Sequence, residues 1–110
     1  MKRTFVSALV FATCVSLAGA AVAADGAAVY KAKCLSCHGA QGVGTAMGPA
    51  FRGSAFIASG SDEEITEVIL KGRTGPDKKY KVFVLGMPAQ GLGDDDVSAL
   101  VKHLKSLAAK

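Results

Sequence analysis

The run Cys34-Leu35-Ser36-Cys37-His38 places two thiols three positions apart, with an imidazole directly behind the second. On a helical turn the i and i+3 side chains share a face. Both sulfurs can then reach the two vinyl groups along one edge of a porphyrin while His38 points at the iron. The run therefore reads as a covalent attachment site for one c-type haem. Thioether bonds fix the macrocycle, and a neutral imidazole nitrogen ligates iron without charge compensation. Other uses of paired cysteines fit less well. A structural zinc needs four ligands, and beyond the motif the chain after the leader has no cysteine and only His103. A thioredoxin-like dithiol sits in a βαβ setting, whereas Gly-rich sequence follows Cys37. A Cys34–Cys37 disulfide would close too short a loop to add much stability.

Upstream of the motif, residues 1–24 have the three parts of an export signal: Lys2 and Arg3, an apolar run from Phe5 through Leu17, and small residues ending at Ala23-Ala24. The run is too short for a comfortable membrane span. Removal of the leader is expected, leaving residues 25–110 as one domain located in the periplasm, with no stable membrane insertion after cleavage. Cys14 follows Phe11-Ala12-Thr13, a poor lipoprotein cleavage box, and reads as a small hydrophobe discarded with the leader. Export carries Cys34 and Cys37 out of the reducing cytosol.

A domain of this length buries only about 60% of its unfolded surface and often needs a covalent or metal staple. The chain has no Trp, and after the leader its aromatic residues are Tyr30, Phe51, Phe56, Tyr80 and Phe83. A haem would supply the missing apolar mass. The full chain carries 13 Lys and Arg against 9 Asp and Glu. Loss of Lys2 and Arg3 brings the balance close to even, so no basic stripe for nucleic acid is indicated. The distribution is uneven: Arg73 and Lys78-Lys79-Tyr80-Lys81 precede Met87, and Asp94-Asp95-Asp96 follow it.

The pattern predicts a helix over 26–38, with Val29, Tyr30 and Cys34 on its apolar side. Gly39 to Gly53 is too rich in glycine for helix or strand and is expected to be a loop wrapping a prosthetic group. A short helical turn is expected over 54–59. The next helix begins at Ser61 or Asp62, with Glu63 and Glu64 in its first turn, Ile65, Val68 and Ile69 on one face, and Gly72 as its stop. Thr74 to Gly93 is expected to be a second loop, with Tyr80, Val82, Phe83, Val84 and Leu85 as its apolar core. Val82 to Leu85 resembles a strand without a second run to pair with. Asp94 to Asp96 are expected to cap a last helix that aligns Val97, Leu100, Val101, Leu104 and Leu107.

An iron held by one imidazole has a sixth position. Met87 lies in Gly86-Met87-Pro88, where glycine admits close backbone approach and proline stiffens the turn. Such a context suits a thioether held at a fixed point, although most methionines are gap-filling core residues. Met47 competes, but it follows His38 by only nine positions. The expected iron ligands are His38 and Met87, a pairing that raises the reduction potential and closes the site to dioxygen.

Taken together, these marks resemble the small monohaem cytochromes c of the His/Met-ligated class, along all of the chain after the leader. Gly26 and Tyr30 fall at the family's positions eight and four before the first haem cysteine, and Leu100 and His103 at the partner positions on its last helix. His103 replaces the aromatic usual there and is expected to stack on Tyr30. Gly48-Pro49 followed by Phe51-Arg52-Gly53 looks like the family's proximal loop. The resemblance implies that the Pro49 carbonyl accepts a hydrogen bond from the ligating histidine, and that Met87-Pro88 forms the distal turn. It also implies an all-α fold, three main helices and two long loops around one covalent haem c.

The function so implied is that of a soluble, non-enzymatic one-electron carrier, a monomer that exchanges electrons with redox partner proteins. Arg73, Lys78, Lys79 and Lys81 are candidates for steering an acidic partner. Two alternatives stand beside it: a haem subunit of a periplasmic or membrane oxidoreductase complex, and a five-coordinate gas-binding haem protein if Met87 is not a ligand.

Overall fold

The computed structural model describes residues 24–110, so the expected leader and Cys14 lie outside the described residues. Asp25 starts α1 (Gly26–Lys33) by accepting hydrogen bonds from the backbone N–H groups of Ala27 and Ala28, as an N-cap carboxylate does. The helix does not run on to His38. It breaks at Cys34, whose φ of −118° re-aims the chain into a single turn, α2 (Leu35–His38). The buried Tyr30 hydroxyl donates to the Gly39 carbonyl at 2.6 Å, tying the end of α2 back onto α1. That tether, nine residues in span, bridges the break.

The Gly-rich segment after α2 is irregular apart from a 3-10 turn at Ala40–Gly42. Ser54 then caps α3 (Ala55–Ser59), and Ser61 caps α4 (Asp62–Lys71), each by accepting from the N–H three residues on. Asp62, Glu63 and Glu64 fill the first turn of α4, where the helix dipole favours negative charge. Gly72, at φ +72°, ends it. The last helix, α5 (Asp94–Ala108), departs from expectation at its start. The cap position is Gly93, and Asp94 to Asp96 make no capping bond but occupy the first turn. Their contribution is charge against the dipole, without a side-chain bond to the exposed N–H groups.

No strand forms among the described residues, where an isolated antiparallel bridge joins Arg73 to Met87. The architecture is all-α, with α1, α4 and α5 as its main helices and α2 and α3 as short ones. No helix in this part of the chain is long and apolar enough to cross a membrane. The core lies along α5, where Leu100, Val101, Leu104 and Leu107 are buried against the other helices, Leu100 completely. At the crossing of α1 and α5, a Cβ on Gly26 would collide with the Ala99 carbonyl oxygen and stand 2.9 Å from the His103 Cβ. Only glycine permits that approach. One turn on, Tyr30 packs on His103 with ring centroids 5.5 Å apart and planes at 57°, tilted where face-to-face stacking was expected.

The second loop corrects another expectation. Val82 and Val84 belong to no core, being 81% and 90% exposed, whereas Tyr80, Phe83 and Leu85 line an apolar cavity beside the loop. The loop is held by its base, where Arg73 pairs with Met87, and by Lys78, whose Nζ donates to the Phe83 carbonyl at 2.6 Å.

Candidate haem site

Between α2, the Gly-rich loop, α4 and the second loop lies an apolar cavity of about 440 Å³, within the range of roughly 300–1,000 Å³ typical of cofactor sites. Cys34, Cys37, His38, Pro49 and Met87, the five residues singled out from sequence, all line it. They reach it by different routes. The α2 turn delivers the first three, the loop after it delivers Pro49, and the return from α4 delivers Met87.

His38 is 8% exposed, and its Nδ1 lies 2.9 Å from the Pro49 carbonyl oxygen. A carbonyl only accepts, so Nδ1 carries the proton and Nε2 keeps its lone pair. Burial pulls the imidazole below its ordinary value, partly opposed by the bond to Pro49, so the ring is neutral at pH 7. This is the state in which an imidazole ligates a metal. Cys34 and Cys37 are both free thiols. Burial, aided by the neighbouring Cys37, pushes the Cys34 thiol up to about 11, opposite to the lowered values of redox-active dithiols. The donor set and apolar lining fit a covalently held haem.

The wall around His38 is built by the Gly-rich loop folding straight back on α2. Gly44 N–H donates to the His38 carbonyl at 2.7 Å, and Thr45 Oγ1 donates to the Cys37 carbonyl at 2.5 Å. A Cβ on Gly48 would sit 2.9 Å from the Cys37 carbonyl oxygen and 3.3 Å from His38 Cε1. Met47 precedes Gly48 in this wall and is 45% exposed.

Met87 comes from a separate segment. Its N–H donates to the Arg73 carbonyl at 2.9 Å, and its own carbonyl accepts from Arg73 N–H at 2.8 Å. Two glycines make room: a Cβ on Gly86 would stand 2.7 Å from the Arg73 carbonyl oxygen, and one on Gly72 2.6 Å from Ala89 N. Past the turn, Gln90 N–H donates to the Ile69 carbonyl at 2.9 Å, fastening the segment to α4.

Two features at the cavity were not read from sequence. The ring of Phe51 stacks on that of His38, with centroids 4.2 Å apart and planes at 24°. The one available signal was an aromatic two residues after Pro49. The basic residues at the mouth are also partly engaged by the chain itself. Arg73 and Lys79 lie over the Phe56 ring at 5.0 and 5.4 Å, a cation–π arrangement, and Lys78 is tied to Phe83. Lys81 remains exposed.

The family model described as Cytochrome c matches residues 23–108. Cytochrome c-553 of Nitratidesulfovibrio vulgaris (strain DSM 19637 / Miyazaki F) is 35% identical over 112 residues, covering 97% of this chain and 100% of the relative. The crystal structure of the c-type cytochrome XoxG from Methylobacterium extorquens AM1 superposes with a TM-score of 0.54 at 28% identity. That match covers 76% of this chain and 48% of XoxG, so the chain spans about half the length of this structural relative.

Proposed function

This chain belongs to the cytochrome c family and is a haem c electron carrier, and from that premise we propose that it works as a soluble monomer outside the cytoplasm, with His38 and Met87 as axial ligands. The bound haem supplies an iron that alternates between Fe(III) and Fe(II). Cys34 and Cys37 hold it by thioether bonds. His38 offers Nε2, and the Pro49 carbonyl keeps the opposite nitrogen protonated and the ring in place. Met87 would offer a soft thioether that favours the ferrous state and would keep dioxygen and substrates off the metal. Because both ligands stay in place in each state, the chain reorganises little on electron transfer and needs no catalytic residue.

One observation carries this reading. A methionine fastened by two backbone hydrogen bonds lines the same cavity as a buried neutral imidazole and both motif cysteines. Lys79 lines the mouth and Lys81 follows close behind in sequence, where positive charge steers an acidic redox partner. The ferric absorption spectrum of the exported protein tests the ligand pair. A weak far-red sulfur-to-iron band is expected. A high-spin ferric spectrum, with a ferrous form that takes up carbon monoxide, would reject Met87 ligation and favour gas binding.

A further inference from the structure

A hydrogen bond from Nδ1 to the Pro49 carbonyl fixes one corner of the His38 ring but tolerates swing about that contact. A flat surface against the face of the ring removes the remaining freedom, and Phe51 supplies one at 4.2 Å and 24°. We propose that Phe51 is a positioning residue that, with the Pro49 carbonyl, fixes the plane of the iron-ligating imidazole. The inference rests on the reading of His38 as a ligand.

Phe51 is itself held from three sides. Its N–H donates to the Gly42 carbonyl at 2.8 Å, and its carbonyl accepts from Ser54 N–H at 3.0 Å. Gly42, at φ +69°, lies so close that a Cβ there would meet Phe51 Cβ at 3.0 Å and Cδ2 at 3.1 Å. On another side Tyr30 presents its ring in an edge contact, with centroids 6.1 Å apart and planes at 69°. Tyr30 is in turn anchored by its hydroxyl on Gly39. The chain of support runs from α1 through Tyr30 and Phe51 to His38. A ligand is oriented only as well as the groups behind it are locked, and here each contact is made by a buried or half-buried ring. Packing alone would ask for apolar volume at position 51 and be indifferent to its shape. Orientation asks for a planar ring.

The plane of an axial imidazole governs how the unpaired spin of ferric iron is shared among the haem positions, so its angle is readable without any activity assay. Proton NMR of the ferric holoprotein should show the haem methyl resonances changing order or spread in Phe51→Leu. The reduction potential should move with them. Phe51→Tyr, which keeps the ring face, should restore both. If Phe51→Leu lowers the melting temperature but leaves the methyl pattern and potential as in the wild type, Phe51 only packs and the proposal is wrong. Should Phe51→Leu fail to accumulate, Phe51→Met gives the same test with an unbranched side chain. The His38 reading is checked separately, in the wild type: paramagnetically shifted His38 ring protons are expected. Their absence would remove the ligand assignment, and the role of Phe51 with it.

Discussion

Met87 and His38 ask different things of the backbone. His38 arrives within a five-residue motif, whereas Met87 depends on a loop returning to the end of α4, where Arg73 brackets it with two hydrogen bonds. Met87→Ala leaves that bracket intact and removes only the thioether. The potential should then fall by a sizeable part of the roughly 0.8 V over which axial ligands set haem potentials, and the ferrous protein should bind carbon monoxide. Redox titration and gas binding check this; an unchanged potential would move the ligand to another residue, Met47 first. At this scale the sequence was informative where chemistry is compressed into a short window. Cys34, Cys37 and His38 stand out by their spacing and Met87 by its flanking glycine and proline, and the structure brings all four to one cavity. Phe51 could not be assigned, since its contact with His38 exists only once the Gly-rich loop folds back, and that loop has no period.

Helix ends were legible in the same local way. Ser61 caps α4 as read and Gly72 stops it, because caps act over three or four residues. The break at Cys34 and the exposure of Val82 and Val84 escaped, as the residues beside them carry no signal for either. Gly72 joins the two kinds of information. Its φ of +72° ends α4, and its missing Cβ leaves Ala89 N room to pass at 2.6 Å from where that carbon would be. Gly72→Ala should destabilise the holoprotein by about 1–3 kcal/mol through backbone strain and loosen the Met87 turn. Denaturant titration should show the loss, and added imidazole should displace the thioether at lower concentration. Wild-type stability together with wild-type imidazole affinity would mean that the turn is held without this approach.

Among the described residues the helices pack on α5 and also border an apolar space. Removal of a core group costs about 24 cal/mol for each Å³ of cavity left behind, so a dry void of about 440 Å³ would cost on the order of 10 kcal/mol at that rate. Water entering from the open side lowers that figure, which is an upper bound to set beside the roughly 5–15 kcal/mol that holds a typical domain together. The rest of the core is small: α5 supplies most of the buried side chains, and Ile57, Ile65 and Ile69 are the fully buried aliphatics opposite it on α3 and α4. Filling that space is therefore expected to matter for folding as well as for redox chemistry, in a chain whose own aromatic residues are few. The double variant Cys34→Ala, Cys37→Ala should lose haem on denaturation and, once stripped, show reduced helical circular dichroism and no cooperative melt. Contacts between α1 and α5 survive on paper, but with Phe51 and Met87 facing water neither loop retains a reason to return to its helix. A stripped variant that kept native helix content and a sharp melting transition would show that the polypeptide closes this space unaided, and would overturn the account of why the chain folds.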